Sequence, residues 1–300
     1  MTEDKIKVSI CCATYNHEKY IRDSLEGFVS QKTDFKYEVI VHDDASTDKT
    51  ADIIREYEQK YPDIIKPVYQ KENQYSKKIR ILPTYVYPKC RGEYVALCEG
   101  DDYWIDNEKL RKQVDFLDSN PDFSACAHNT LLFNQITSEK KEMYSPHDKT
   151  LGLEDVAEKT AYHTSSLMFR KKYLSNRPKF LDMVNMVGDY PLGIYLSLKG
   201  KIMRYGKVMS VYRINVEGSW TLRTSNSIAC MKMHEETAAM LEEVNRYSEY
   251  KYNQLIKDII KTKKSLARRC RFHAYIKNIF SKTGIKDMDK IRRFVYWRKK

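Results

Sequence analysis

The chain of 300 residues has 53 basic and 41 acidic side chains and a formal net charge of +12. Its 42% hydrophobic and 31% charged residues are typical of a folded protein and exclude disorder along the whole chain. No stretch approaches the roughly 18 consecutive apolar residues of a membrane-spanning helix, and the first residues lack the apolar core of a signal peptide. The sequence therefore predicts a cytoplasmic protein with one large domain and an appendage, or with two small domains.

Cysteine and glycine usage argues against several common binding motifs. The seven cysteines are odd in number and none forms a C-x-x-C pair, which argues against disulfide bonds and against a zinc site. Neither the dinucleotide pattern G-x-G-x-x-G nor the P-loop pattern occurs, so neither site is expected. The cysteines are Cys11, Cys12, Cys90, Cys98, Cys126, Cys230 and Cys270.

The first hundred residues alternate between β-type apolar runs and helical patterns. Such alternation is typical of a mainly parallel sheet with helices on both faces, so the predicted fold class is α/β. Strands are predicted over residues 7–12, 37–42, 65–69 and 94–98, and helices over residues 18–31 and 48–60.

Beyond residue 100 the patterns are less regular, but further elements can be assigned. A helix is expected to begin near Asn107, and the polar stretch 137–150 is predicted to be a loop. Strands are then predicted over residues 163–170, 201–205 and 207–213, with a helix over residues 189–199.

The whole positive excess lies near the C-terminus. Residues 1–220 hold 33 basic and 33 acidic side chains, whereas residues 221–300 hold 20 and 8. Residues 251–300 alone carry 17 basic and 3 acidic groups, with apolar residues at helical spacing as far as residue 283 and a second basic segment over residues 285–297. A basic amphipathic helix suits an anionic membrane surface, packing on the main domain, or nucleic acid. Because no nucleic-acid-binding module accompanies the charge, we favour the membrane surface and expect no nucleic acid partner.

Acidic residues follow the ends of the predicted strands. The segments concerned are A-T-Y-N at 13–16, D-D-A-S-T-D at 43–48 and E-G-D-D-Y-W at 99–104. Open α/β sheets bind ligands beyond the carboxyl ends of their strands, so these side chains are expected at one edge. Clustered carboxylates repel one another unless a cation neutralises them, and Mg²⁺ or Mn²⁺ prefers such oxygen ligands. The sequence therefore predicts a divalent-metal site.

Six segments in order along the chain match a known pattern: V-S-I-C-C-A-T-Y-N-H-E-K-Y-I, E-V-I-V-H-D-D-A-S-T-D-K-T and E-Y-V-A-L-C-E-G-D-D-Y-W, followed by T-S-S-L-M-F-R, G-D-Y-P-L and V-M-S-V-Y-R-I-N. Through these segments, over about residues 6–220, the chain resembles the family 2 glycosyltransferases with the GT-A fold, of the bacterial surface-polysaccharide type. The resemblance implies a Rossmann-like GT-A domain over residues 1–220, followed by a helical basic extension over residues 221–300. It also implies a nucleotide-sugar donor, with UDP expected, and an acceptor hydroxyl on a glycan or lipid-linked molecule.

The resemblance assigns roles to individual residues. Tyr15 matches the position that stacks on the donor base, and Asp44 the carboxylate that hydrogen-bonds a uracil-type base. Asp101 falls in the family's D-x-D motif and would hold the metal, while Glu99 replaces the usual first aspartate. Asp189 matches the general base, which implies single displacement with inversion. The complete donor-binding set is Ala13, Tyr15, Asp43, Asp44, Glu99, Gly100 and Asp101.

Five further residues are candidates for the acceptor or the transferred sugar: Asp102, Trp104, His163, Arg213 and Trp220. Each has a structural alternative. The aspartates could form turns or begin a helix, the aromatic residues could pack in the core, and Arg213 could pair with a local acid instead of the diphosphate. Asn215 stands where many relatives carry a histidine, so no metal-ligand role is assigned to it.

Two other functions are compatible with an acidic α/β edge. A nucleotidyltransferase would carry a Gly-rich basic loop after the first strand, which residues 13–16 do not supply. A non-catalytic nucleotide- or glycan-binding scaffold would not need Asp44, Asp101 and Asp189 together. We therefore expect a metal-dependent glycosyltransferase of hexosyl or N-acetylhexosaminyl type, cytoplasmic and peripheral at the inner face of the membrane.

Overall fold

The computed structural model describes residues 5–158, 161–184, 188–216 and 227–283, with side chains of the last helix described as far as residue 275. The chain divides into two compact units, Met1–Glu217 and Gly218–Lys300.

Four parallel strands form one half of the sheet in the first unit. They lie side by side in the order β3-β2-β1-β4. Helix α1 buries Ile21, Leu25 and Phe28, whose spacing of four and three residues places them on one helical face. The elements are β1 (Ile6–Thr14), α1 (Ile21–Val29), β2 (Lys36–Asp43), α2 (Thr50–Lys60), β3 (Ile65–Tyr69) and β4 (Tyr94–Leu97).

The second half of the sheet is mixed. The remaining elements of this unit are β5 (Tyr103–Trp104), α3 (Lys109–Ser119), β6 (Phe123–Asn134), β7 (Lys140–Glu142), β8 (Lys149–Leu151), α4 (Leu153–Glu158), β9 (Met168–Arg170), α5 (Asp189–Lys199) and β10 (Lys201–Ile214). The full order is β3-β2-β1-β4-β9-β6-β10-β5, with β7 on β6 and β8 on β10. The long β6–β10 ladder is parallel, whereas β5, β7, β8 and β9 pair in antiparallel fashion. The predicted α/β fold with its mainly parallel sheet is confirmed.

Four predicted elements differ from the structure. The expected loop over residues 137–150 contains β7 and β8, whose mostly exposed side chains give no hydrophobic alternation. The expected strand over residues 163–170 is a strand only from Met168, because Thr164–Ser166 form a 3₁₀ turn. The two strands expected around Gly206 are one strand, β10, with a register shift at that point. A side chain at Gly206 would meet the Pro146 carbonyl oxygen at 2.0 Å, so the chain requires glycine there.

The second unit contains two helices that pack against each other, α6 (Ser227–Tyr247) and α7 (Asn253–Thr283). Their buried side chains include Leu241 and Val244 on α6 and Ile256 and Ile259 on α7. The basic helix expected up to residue 283 is therefore present, and its apolar residues Ile256, Ile259 and Ala267 are buried. Among the residues that the structure describes, none of the helices has the length and hydropathy to cross a membrane. Trp220 and the predicted segment 285–297 lie outside the described residues.

Candidate active site

The site lies where parallel strands end, at the edge that the sequence predicts. Strands β1, β2, β4 and β10 all run in one direction, so the residues after their carboxyl ends lie at one edge. The loops after β1 and β2 bind each other. The backbone N–H of Asn16 donates to the Ser46 hydroxyl at 2.9 Å, and the Asn16 side chain accepts from the Thr47 N–H at 2.8 Å. Asn16 and Ala45 reach these positions with φ of 55° and 60°.

Asp43 and Asp44 organise two loops. Asp43 accepts from the Ser46 hydroxyl at 2.5 Å, and burial raises the pKa of Asp43. The two oxygens of the Asp44 carboxylate accept from the backbone N–H groups of Gln74 at 2.8 Å and Tyr75 at 3.0 Å. Asp44 thus fixes the loop that follows β3. Its proposed contact with a nucleobase stays a prediction.

Three carboxylates meet in the loop between β4 and β5. Glu99, Asp101 and Asp102 each place one oxygen within 4.8 Å of the others. The loop backbone is fixed on both sides: the N–H of Gly100 donates to the carbonyl of Ala13 at 3.0 Å, and the Ser24 hydroxyl lies 3.0 Å from the Gly100 carbonyl oxygen. A Cβ at Gly100 would lie 2.7 Å from the Cβ of Thr14, so a larger residue would displace this loop.

The environment of the Asp102 carboxylate indicates that this cluster fits a cation. Its side chain is buried, with 1% exposure, and burial together with the charges of Asp101 and Glu99 raises the pKa of Asp102 well above its usual range. Its Oδ1 accepts from the Arg213 backbone N–H at 3.0 Å, whereas its Oδ2 has no hydrogen-bond partner among the described residues. An unpartnered buried carboxylate oxygen beside two more carboxylates fits a hard divalent cation, whose charge would offset their repulsion.

Arg213 supports the acidic loop from β10. Its guanidinium donates to the carbonyl of Asp101 at 2.8 Å, forms an ion pair with Asp23 and lies 4.2 Å from the ring centroid of Tyr103. The side chain is buried by these contacts. Arg213 therefore takes the alternative of pairing with a local acid, and its assignment to the acceptor or sugar does not fit this position.

Asp189 is the first residue of α5. Its Oδ1 accepts from the Tyr190 backbone N–H at 2.8 Å, and its Oδ2 lies 3.4 Å from the Thr164 hydroxyl. Burial raises the pKa of Asp189 above its usual range, and the hydrogen bonds partly oppose this. A carboxylate whose pKa is raised has the character that a general base needs. This role stays a prediction.

His163 lies between the acidic loop and Asp189. Its ring stacks on Tyr212 at a centroid distance of 4.0 Å, and its Nδ1 is 2.9 Å from the Ser165 hydroxyl and 3.8 Å from Asp102 Oδ2. Burial lowers the pKa of His163 to about 3, so the ring is neutral at pH 7 and the approach to Asp102 is not an ion pair. The next residue, Thr164, contacts Asp189. One short segment thus touches both the acidic cluster and the candidate base.

The aromatic candidates separate into buried and exposed. Trp104 is only 3% exposed, its indole N–H donates to the Ser165 carbonyl at 2.8 Å, and the Lys109 ammonium lies 3.8 Å from its ring centroid. A sugar platform does not fit this buried ring. Tyr15 is 42% exposed beyond the end of β1, where a ligand can reach it. Trp220 lies outside the described residues.

Several residues that position the site make their contacts far along the chain and are not evident in the sequence. The sequence pattern places Thr164 and Ser165 only within an expected strand, and it does not distinguish Asp23 from other acidic residues. The hydroxyl run T-S-S beside His163 could have signalled the first two. Nothing in the local sequence marks Asp23, because its partner Arg213 is 190 residues away.

Comparison with known proteins identifies the family. The family model described as glycosyl transferase family 2 matches residues 9–176. The chain belongs to glycosyl transferase family 2. It is 35% identical over 219 residues to an uncharacterized protein of Mycobacterium tuberculosis, in a match that covers 71% of this chain and 60% of that protein. It is 28% identical over 217 residues to TuaG of Bacillus subtilis, named as a glycosyltransferase of teichuronic acid biosynthesis, with 71% of this chain and 81% of TuaG covered.

Solved structures share the GT-A fold of this family 2 chain. Staphylococcus aureus TarS in complex with UDP-GlcNAc matches with a TM-score of 0.59 at 19% identity, covering 79% of this chain and 66% of that one. The mannosyltransferase PcManGT of Pyrobaculum calidifontis, in complex with GDP-Man and Mn²⁺, matches with a TM-score of 0.58 at 16% identity, covering 90% and 75%. The predicted GT-A fold is confirmed.

Proposed function

We propose that this family 2 chain is an inverting glycosyltransferase that moves a sugar from a nucleotide-sugar, UDP-linked by preference, to a hydroxyl of a glycan or lipid-linked acceptor in surface-polysaccharide synthesis. The observation that carries the proposal is the cluster of Glu99, Asp101 and Asp102, with its unpartnered buried oxygen, at the carboxyl edge of the sheet. The TarS complex with UDP-GlcNAc and the name of TuaG support the donor and the setting. For the transferred sugar we propose a hexosyl or N-acetylhexosaminyl group, in line with the GDP-Man and UDP-GlcNAc bound by the structurally similar enzymes.

Two groups of residues would serve the reaction, one stabilising the leaving group and the other activating the nucleophile. A divalent ion bound here, Mn²⁺ or Mg²⁺, would supply positive charge that stabilises the departing diphosphate. Asp101, with Glu99 and Asp102, would hold that ion, while Asp43, Asp44 and the exposed Tyr15 frame the nucleoside. Asp189 would accept the proton of the acceptor hydroxyl as the bond to the anomeric carbon forms and the bond to the diphosphate breaks. One displacement of this kind inverts the anomeric centre.

The location of the enzyme is part of the same proposal. We place it in the cytoplasm at the inner face of the membrane, where the exposed basic residues of α7 would contact anionic lipid. Support comes from the excess of 17 basic over 3 acidic groups in residues 251–300.

The test is a thermal-shift and hydrolysis screen against UDP-, GDP-, dTDP- and CMP-sugars, each with Mn²⁺, with Mg²⁺ and with EDTA. A ligand at 100 times its dissociation constant adds about 2.7 kcal/mol to the free energy of unfolding. We expect one nucleotide class to stabilise the protein only with metal, and the effect to disappear in Asp101→Ala. The matched control is Asp115→Ala, which removes an exposed carboxylate from α3. If no nucleotide stabilises the protein in any condition, the transferase proposal fails, and donor binding without turnover would favour a scaffold.

A further inference from the structure

Three metal-ligating side chains meet between the two helices of the second unit. Cys230 and His234 are four residues apart on α6 and therefore share a helical face, and Cys270 reaches them from α7. One ligand atom of each residue lies within 4.8 Å of the other two. The sulfur atoms of Cys230 and Cys270 are 2.9 Å apart.

His234 contributes a second, independent observation. Its Nδ1 is buried and has no hydrogen-bond partner among the residues that the structure describes. A buried polar atom without a partner costs about 1–3 kcal/mol, so such atoms are rare unless a ligand satisfies them.

We propose that Cys230, His234 and Cys270 form a transition-metal site in the C-terminal unit, with Zn²⁺ as the ion that fits it. Two thiolates and one imidazole suit Zn²⁺ better than the hard cations that carboxylates bind. Three protein ligands leave one tetrahedral position for a water molecule. The cysteine spacing argued against a zinc site because Cys270 lies 40 residues after Cys230, and only the antiparallel helices bring them together.

Binding requires a small adjustment and releases protons. With zinc–sulfur bonds of about 2.3 Å in tetrahedral geometry, the two sulfurs would lie about 3.8 Å apart, so the side chains must separate slightly. Each thiol gives its proton to solvent as its sulfur binds the ion, so two protons leave per Zn²⁺ bound. Charged groups near the site include the ion pair of Arg271 with Glu235, Lys232 at 3.9 Å from Glu236, and Lys263, whose positive charge acts on His234.

A disulfide bond between Cys230 and Cys270 is the competing use of these thiols. It would require the sulfurs to approach from 2.9 Å to about 2.05 Å and would leave His234 Nδ1 without a partner. The metal accounts for all three residues. A bound ion would link α6 to α7 near the start of α6, and the site is independent of donor binding in the first unit.

The experiment measures metal directly on the full-length chain, purified under reducing and chelator-free conditions. Zn²⁺ and Co²⁺ are titrated into the metal-free protein, followed by metal analysis and by the visible absorption of tetrahedral thiolate-bound Co²⁺. We expect one equivalent of Zn²⁺ per chain and at least tenfold weaker binding in both His234→Gln and Cys270→Ser. His273→Gln, which changes an exposed histidine three residues further along α7, should bind like the wild type. Circular dichroism of the metal-free variants checks that their helices are intact.

Two results would overturn the proposal. One is equal zinc affinity in His234→Gln and His273→Gln with unchanged helix content. The other is a Cys230–Cys270 disulfide, found by peptide mass spectrometry in the freshly isolated chain. Neither bears on the transferase proposal, since the readout needs no nucleotide and the ligands lie outside the first unit.

Discussion

Asp189 is held at both oxygens, by the Tyr190 amide and by the Thr164 hydroxyl at 3.4 Å. Asparagine keeps the size of this side chain and loses its ability to accept a proton. We therefore expect Asp189→Asn to lower kcat by about 10² to 10⁴ while the affinity for the nucleotide stays within about twofold. A nucleotide-release assay and a nucleotide titration measure the two quantities.

The control for this prediction is Asp182→Asn, which changes an exposed carboxylate paired with Arg177. It should leave kcat unchanged. A kcat of Asp189→Asn equal to that of the control would remove Asp189 from the role of general base and leave it as a residue that begins α5.

Lys109 predicts a dependence of stability on pH. Its ammonium is fully buried, 2.8 Å from the Gln113 side-chain oxygen, and burial lowers its pKa to about 7 from 10.5. Between these two values the unfolded chain holds a proton that the folded chain lacks, so the free energy of unfolding rises with pH by up to about 1.4 kcal/mol per unit. Below pH 7 Lys109 is protonated in both the folded and the unfolded chain, and its contribution to the free energy of unfolding is then at its least favourable. Lys109→Met removes the proton and its pH dependence.

Urea unfolding at pH 7, 8 and 9 measures this effect. The free energy of unfolding of the wild type minus that of Lys109→Met should increase across the series. Lys19→Met, which removes an exposed lysine, should give a constant difference. A constant difference for Lys109→Met as well would show that Lys109 stays charged in the folded protein.

At the scale of elements, the sequence predicts those strands that have a recognisable pattern of apolar side chains. Strands β1, β2 and β4 are mostly buried and β3 is partly buried, and their parallel order is enough to place Asp43 and Asp101 at the same edge. The short strand β7 has three exposed polar residues and exists only because its backbone pairs with Leu131–Phe133 of β6. No side-chain pattern records such a pairing.

Residue roles that depend on distant packing were equally hidden. In the sequence, Trp104 comes directly after the acidic loop, a position typical of an exposed aromatic residue. In the structure its ring is covered: the ring centroids of Phe28 and Trp104 are 4.9 Å apart, and Lys109 lies over the Trp104 ring. Arg213 has an open choice of partner in the sequence, and the pairing of β10 with β5 decides it in favour of the acidic loop. The carboxylate site was thus predictable from strand order, and the buried residues that hold it were not.

At the scale of the whole molecule, the positive charge of the second unit predicts binding to anionic membranes that weakens as salt increases. The apolar residues Ile256, Ile259 and Ala267 of α7 are buried, so we expect lipid contact to come from its exposed basic side chains. As far as residue 275, these are Lys257, Lys261, Lys264, Arg268, Arg269 and Arg271. We expect the full-length chain to bind vesicles that contain phosphatidylserine at low salt and to lose binding as salt rises, because charge carries the interaction.

Charge reversal tests this surface. The triple variant Lys257→Glu, Lys261→Glu, Arg268→Glu should bind vesicles at least 100-fold more weakly in a flotation assay, at about 1 kcal/mol per charge removed. The control reverses three exposed lysines of the first unit, Lys32, Lys60 and Lys71. Equal losses in both variants, or binding that is insensitive to salt, would refute a role for α7 at the membrane.

The hydrogen bond between the Arg213 backbone and the Asp102 side chain has a consequence for folding during synthesis on the ribosome. The two residues are 111 positions apart, and β10 is the last strand of its unit. A ribosome that adds about 5 to 20 residues per second needs roughly 6 to 22 seconds to pass from one to the other. During that interval the acidic loop has been synthesised but has neither the backbone amide nor the guanidinium that fixes it. The acidic loop of the emerging chain can therefore gain these two contacts only after nearly the entire first unit has been synthesised.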